Sequence, residues 1–219
     1  MIDWNAIDTV LLDMDGTLLD LHFDDHFWQV VIPSRYGERE GLDLTDSLAT
    51  LAPLFKAREG TLDWYCLDFW SRELGLDVVA LKREHAHLVG VRQGALAFLN
   101  AVRQMGKRQV LVTNAHPAAL ALKMERTGLA PLFDGIISSH AIGVPKEQVE
   151  FWTKLQKVEV FNPARTLLLD DSLPVLRSAR DYGIAFPISI AQPSSKKPPR
   201  VMEEFVAIGE FTELLVLPG

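Results

Sequence analysis

Apolar residues along this chain follow two different periods. Short, nearly continuous runs rich in Val, Ile and Leu occur at Thr9–Leu12, Arg108–Thr113, Phe133–Ser138, Thr166–Asp170 and Ile184–Ile190. Runs of that length predict strands covered on both faces. Between the later runs, apolar residues recur three and four apart over Ala95–Met105, Pro117–Thr127, Lys146–Lys157 and Ser172–Tyr182. Three of these segments are followed by a glycine (Gly106, Gly128, Gly183), the signature of a left-handed helix cap. Strand and helix alternating in this way from Val91 onward predict an α/β fold, a doubly wound parallel sheet.

The interval between the first and second strands follows another pattern. It opens on the aromatics Phe23, Phe27, Trp28 and Tyr36 and shows no period-2 alternation. Asp43-Leu44-Thr45-Asp46 reads as a helix start leading into Leu48, Leu51, Leu54 and Phe55. A second start at Thr61-Leu62-Asp63-Trp64 leads into a helix closed by Gly75, and Asp77–Leu88 supplies another. The expected organisation is therefore an α/β core from residues 1–20 and 89–219, interrupted by an all-helical insertion over 21–88. The stretch from Pro193 to Arg200 reads as a linker, and the segment from Val201 onward gives no clear period.

Composition narrows the setting. Hydrophobic residues make up 48% and charged residues 23%, which is enough to build a core without staples. The formal net charge of -7 argues against a polynucleotide surface or an anionic membrane partner. Cys66 is the only cysteine, so no internal disulfide can form; with no secretory leader pattern at the start, a cytoplasmic protein is expected. No apolar run approaches the roughly 18 residues of a membrane span. The oligomeric state stays open.

Chemistry concentrates at the strand ends. The first strand runs into Asp13-Met14-Asp15-Gly16-Thr17, so two carboxylates leave the sheet together at a glycine turn. Close carboxylates repel unless they share a proton or a cation, and a hard divalent ion with oxygen ligands, Mg2+, resolves the conflict. An isolated Asp15-Gly16 is also a common turn signal, so the later strands decide the matter. The second ends in Thr113-Asn114, the third leads through Gly143-Val144-Pro145 to Lys146, and the fourth ends in Asp170-Asp171-Ser172. Singly these are ordinary: a loop start, a solvated lysine, a helix cap. Together they supply what phosphoryl transfer through a carboxylate nucleophile requires.

These four segments, in this order, resemble the motifs of the haloacid dehalogenase-like (HAD) superfamily of phosphohydrolases, and the insertion resembles its C1-type cap on a Rossmann-like core. The resemblance implies Asp13 as nucleophile and metal ligand. It implies Asp15 as general acid and base, with its backbone carbonyl on Mg2+. Thr113, Asn114 and Lys146 would bind the phosphoryl group. Asp171 would complete the metal site, with Asp170 as direct or indirect ligand. Haloacid dehalogenases expel halide without protonating it, so the second acid, Asp15, points to phosphate esters.

A narrower likeness concerns the substrate. The first motif, the following Phe23–Trp28 segment, Trp64-Tyr65-Cys66-Leu67-Asp68 and Thr113-Asn114-Ala115-His116-Pro117 are similar to the bacterial GMP/IMP nucleotidase branch. That implies a small purine nucleoside monophosphate as partner. The aromatics of Leu62–Trp70 would then meet a base or form the core of the helical insertion, and His22 or His116 would line the site. The insertion's Arg35, Arg39, Arg58 and Arg72 read as mostly solvated. A sugar-phosphate or broad-range phosphatase, a phosphomutase and a non-catalytic binding module are the competing readings.

Overall fold

The computed structural model describes residues 2–215. Six strands form one all-parallel sheet: β1 (Thr9–Leu12), β2 (Arg108–Thr113), β3 (Gly135–Ser138), β4 (Thr166–Asp170), β5 (Phe186–Ile190) and β6 (Ala207–Ile208). Their order is β3-β2-β1-β4-β5-β6. β1 pairs with β2 on one side and β4 on the other, Leu12 lying opposite both Leu111 and Leu169. The chain builds outward from β1 in one direction and then, from β4, in the other. A cleft therefore opens beyond the carboxyl ends of β1 and β4, where α/β proteins bind their ligands.

The apolar runs are continuous because each face of the sheet has its own core. Val10, Leu12, Leu111, Leu167 and Leu169 point to one face and Leu11, Val110, Val112 and Leu168 to the other.

The helices, in chain order, are α1 (His22–His26), α2 (Ile32–Glu40), α3 (Leu44–Lys56), α4 (Leu62–Tyr65), α5 (Leu67–Leu74), α6 (Val78–Glu84), α7 (Ala95–Gln104), α8 (Pro117–Thr127), α9 (Ser139–Ile142), α10 (Val149–Val158) and α11 (Leu173–Tyr182). A π-turn, Phe27–Val31, joins α1 to α2. Phe98, Leu99 and Val102 of α7 cover the first face of the sheet. The second is covered by Phe151, Trp152 and Leu155 of α10 with Val175, Leu176 and Ala179 of α11. The helices between β1 and β2 bury a third cluster, built on Phe27, Leu51, Trp70, Leu74 and Val78, which meets α8 at Ala119.

Four expectations change in detail. The helix expected from Leu62 to Gly75 is broken at Cys66, whose extended backbone (φ -85°, ψ 109°) separates α4 from α5. There the Cys66 Sγ accepts from Phe69 N–H at 3.4 Å, and the Trp70 indole donates to the Trp64 carbonyl at 2.9 Å. The segment from Asp77 to Leu88 likewise divides, into α6 and a 3-10 turn over Ala86–Leu88. Lys146 lies outside α10, in the preceding turn. Its N–H donates to the Asn114 side chain and its carbonyl accepts from Ser178, so tertiary partners take the groups a helix would have used. The unplaced tail contributes β6, and Phe205, Ile208, Phe211 and Leu214 are buried there. The Trp4 indole donates to the Leu214 carbonyl at 2.8 Å and ties the two ends of the chain together.

Candidate active site

The carboxyl ends of β1, β2 and β4 deliver Asp13, Thr113 and Asp170 to one edge, on adjacent strands. Between them stands Lys146. Its ammonium donates to Asp13 at 2.5 Å, Asp170 at 2.7 Å and the Val112 carbonyl at 3.0 Å, and the lysine is only 1% exposed. A cation this deep is stable because each of its three protons has an oxygen partner. Burial alone would discharge it, but the two carboxylates outweigh burial and raise its pKa.

Asp171 completes the acidic group. The carboxylate oxygens of Asp13, Asp170 and Asp171 all lie within 4.8 Å of one another. Asp170 is fully engaged, one oxygen on Lys146 and the other accepting from Ser172 N–H at 2.9 Å. Asp171 is paired more loosely, with Arg200 at 3.7 Å. Burial, together with the charges of Asp13 and Asp170, pushes the Asp171 carboxyl well above its usual range. Three carboxylates sharing one close lysine hold surplus negative charge, and an all-oxygen donor set of this kind suits a hard divalent cation such as Mg2+. Gly16 makes the approach possible: at φ +82°, a Cβ there would sit 2.7 Å from the Asp171 carboxyl.

Asp15 is paired with a second lysine. Lys123, on α8 and 1% exposed, donates to Asp15 at 2.7 Å and to Asp24 at 2.6 Å. Asp24 in turn accepts from Lys82 of α6 at 2.6 Å. Burial would raise Asp24, but Lys123 and Lys82 override it and hold the carboxylate far below its ordinary value. Lys82 also lies over the Phe27 and Phe23 rings, 4.5 and 4.7 Å from their centroids. Burial pushes both Asp13 and Asp15 up to about 6, against the pull of Lys146 and Lys123 respectively. The two acids of one short motif are thus held by different cations.

Thr113 is 1% exposed, its hydroxyl accepting from Ala115 N–H at 3.0 Å. The Asn114 amide is committed at both ends, accepting from Lys146 N–H and donating to Glu147 at 3.0 Å. Glu147 also accepts from the Tyr65 hydroxyl, which links the helical segment to the loop carrying Lys146. All seven residues singled out in the sequence line one cavity of about 510 Å3. Its far wall is apolar and aromatic, made by Trp28, Phe55, Trp64 and Trp70. Phe55 and Trp70 meet edge-to-face at 4.9 Å. Of the two histidines considered, His116 is on the wall, whereas His22 is off it and lies 6.0 Å from His26.

Lys123, Asp24 and Lys82 were not legible as site residues. A periodic signal existed: Lys82 follows buried Val78 by four, and Lys123 follows buried Ala119 by four. A lysine at helical spacing on a buried face needs an acid partner, but sequence cannot say which.

Acids and a buried lysine converge beside the switch point of a parallel sheet, where α/β folds carry their ligand sites. The chain belongs to the haloacid dehalogenase-like hydrolase family, which matches it over residues 7–183. It is 37% identical over 214 residues to the GMP/IMP nucleotidase YrfG of Escherichia coli K12, covering 98% of this chain and 96% of that protein. The Shigella flexneri protein of the same name matches equally. Among solved structures, an HAD phosphatase from Thermococcus onnurineus superposes with a TM-score of 0.78 at 20% identity, over 95% of this chain and 96% of that one. The L-2-haloacid dehalogenase of Xanthobacter autotrophicus gives 0.65 at 17% identity over 95% and 96%. At such identities these two likenesses concern the fold.

Proposed function

We propose that this chain is a Mg2+-dependent phosphomonoesterase that works through an aspartyl-phosphate, with the purine nucleoside 5′-monophosphates GMP and IMP as substrates. The observation that carries the chemistry is the division of labour at the end of β1: Asp13 is held by Lys146 and Asp15 by Lys123. The substrate rests on near full-length similarity to proteins named GMP/IMP nucleotidase, and on an aromatic wall suited to a planar base.

In this reading an Asp13 oxygen attacks phosphorus and the ester P–O bond breaks. The leaving 5′-oxygen takes its proton from Asp15. Asp15, now a carboxylate, accepts a proton from water; that water attacks the phosphoryl group and frees Asp13 and phosphate. The Thr113 hydroxyl donates to an equatorial oxygen, and Lys146 turns the proton it gives Asp13 toward another as the Asp13 charge is lost to the new bond. Asn114 fixes the backbone of Lys146. Asp13, Asp171 and the Asp15 carbonyl would hold Mg2+, with Asp170 behind them orienting Lys146. Bound there, the ion supplies positive charge that offsets repulsion between Asp13 and the substrate dianion. Residues 21–88 act as a cap that selects the leaving group, in a cytoplasmic protein.

The test is phosphate release from GMP, IMP, AMP, pyrimidine monophosphates and sugar phosphates, with Mg2+ or with chelator. GMP and IMP should lead, chelator should stop turnover, and Asp13→Asn should be inactive. Mg2+-dependent release biased to sugar phosphates would keep the chemistry and discard the substrate. No release from any substrate would discard both.

A further inference from the structure

Outside the acidic cluster, a second group of metal-competent side chains lies where the helical segment meets the sheet edge. Cys66 comes from the break between α4 and α5, His116 from the residue before α8, and His140 from α9. Their ligand atoms all lie within 4.8 Å of one another, and the two imidazoles stand perpendicular with centroids 5.1 Å apart. Asp68 adds a carboxylate oxygen 3.5 Å from His116 Nε2. None of these groups has a role in the chemistry above.

One atom marks this as more than proximity. His140 Nε2 is buried and has no hydrogen-bond partner. Ser138 Oγ gives its proton to the Ala115 carbonyl, so at 3.5 Å it can only accept from His140 Nδ1–H. The free lone pair is therefore on Nε2. Burial, helped by His116, holds the His140 pKa down to about 4, so the ring is neutral at physiological pH. A buried orphan acceptor beside a thiol and a second imidazole calls for a ligand.

We propose that Cys66, His116 and His140 form a second cation site, for a thiophilic transition ion of the Zn2+ class, whose occupancy ties the Tyr65–Leu67 segment to the sheet edge and slows turnover. The donor set decides the class. One sulfur and two imidazoles suit Zn2+, Co2+ or Cu+ and exclude the hard ion expected among the carboxylates. Bonds of about 2.3 Å to sulfur and about 2.0 Å to nitrogen place tetrahedral ligands about 3.3–3.5 Å apart. From a limit of 4.8 Å, the three atoms therefore need to close by about 1.5 Å at most, with Asp68 or water as the fourth ligand.

Binding requires two local changes. The Cys66 thiol gives up its proton and remains the acceptor for Phe69 N–H. His116 accepts from Ala118 N–H through Nδ1 at 3.3 Å, so its proton moves from Nε2 to Nδ1 and that long bond is lost. The effect on turnover follows from neighbours. Tyr65 and Leu67 flank Cys66 and line the substrate cavity, as does His116. An ion bridging them fixes one wall to the other and hinders exchange of substrate and product.

The experiment uses reduced, chelator-stripped protein titrated with Co2+ under saturating Mg2+, so that the oxygen site is filled. One equivalent should give a thiolate-to-cobalt charge-transfer band that Zn2+ bleaches. The band should vanish in Cys66→Ser, weaken at least tenfold in apparent affinity in His140→Ala, and persist in Asp171→Asn. Zn2+ should inhibit the Mg2+-loaded wild type, while Cys66→Ser, which leaves basal release unchanged, should resist it. No band, or a band indifferent to His140→Ala, overturns the site. Inhibition equal in wild type and Cys66→Ser overturns the restraint, because Zn2+ would then be acting at the carboxylates. The spectroscopic arm needs no turnover, so it stands or fails apart from the phosphatase reading.

Discussion

In the proposed reaction Lys123 is a positioning residue that does not touch the reacting bond. It donates to Asp15 and Asp24 from a site that water does not reach, and fixes the direction of the Asp15 carboxyl. A general acid contributes about 10²–10⁴-fold, and does so chiefly for poor leaving groups. Lys123→Met should therefore depress kcat for a nucleotide by at least about tenfold. It should spare p-nitrophenyl phosphate, whose phenolate departs without a proton, and Asp15→Asn should show the same split more strongly. Equal loss on both substrates would make Lys123 a purely structural cation. Asp171→Asn tests another contact: kcat should recover only at Mg2+ concentrations far above those the wild type needs. An unchanged Mg2+ requirement would remove Asp171 from the ion site.

At the scale of elements, the short ones carry most of the information. α4 ends after one turn because Cys66 turns the chain, and this leaves both Trp64 and the more deeply buried Trp70 on the cavity wall. Trp64→Ala should lower kcat/KM for GMP by about two- to tenfold, the worth of an aromatic stacking contact. Small phosphate donors lacking a base should be unaffected; equal loss on every substrate would mean that Trp64 is only packing. The tail is as much a part of the core as the longer strands. Phe211 is 2% exposed and packs 5.2 Å from Phe98. Phe211→Ala should cost about 3–5 kcal/mol in urea unfolding, a buried large-to-small change. A change below about 1 kcal/mol would show the tail to be dispensable.

For the whole molecule, the active-site acids set how stability depends on pH. In chelated protein Asp13 and Asp15 are raised to about 6 and Asp171 is well above its ordinary value, chiefly by burial. Unfolded carboxyls titrate near about 4, so between those limits the native state binds more protons and stability rises as pH falls. His140, depressed to about 4, works the other way below about 6.5, but it is one group against four, because burial raises Asp170 as well. Asp24, held low, begins to lose its contribution only below the ordinary carboxyl range. Chelated protein should therefore melt higher at pH 5.5 than at pH 7.5, whereas Mg2+ should raise the melting temperature more at pH 7.5. A lower melting point on acidification would contradict the uncompensated charge at the site.

The linear chain determines what can be read from neighbours. Three-residue apolar runs leading into Asp13, Thr113 and Asp170, separated by glycine-capped helices, bury their backbones as parallel strands, and parallel strands bring those ends together. The nucleophile candidate, the acid beside it, Lys146 and the acidic pair were legible for that reason. What depends on approach in space was not legible. Lys82 and Lys123 lie on helices far apart in sequence, and only packing of α6 against α8 brings both to Asp24. The position of Lys146 in a turn was settled by hydrogen bonds to Asn114 and Ser178, which override local helix propensity. β6 has two residues and no period to detect; it exists because Ile190 offers an edge and Ile208 finds a pocket. The nearness of Cys66, His116 and His140 belongs to the same class. Side-chain spacing fixes which residues share a face, but only the folded chain decides which faces meet.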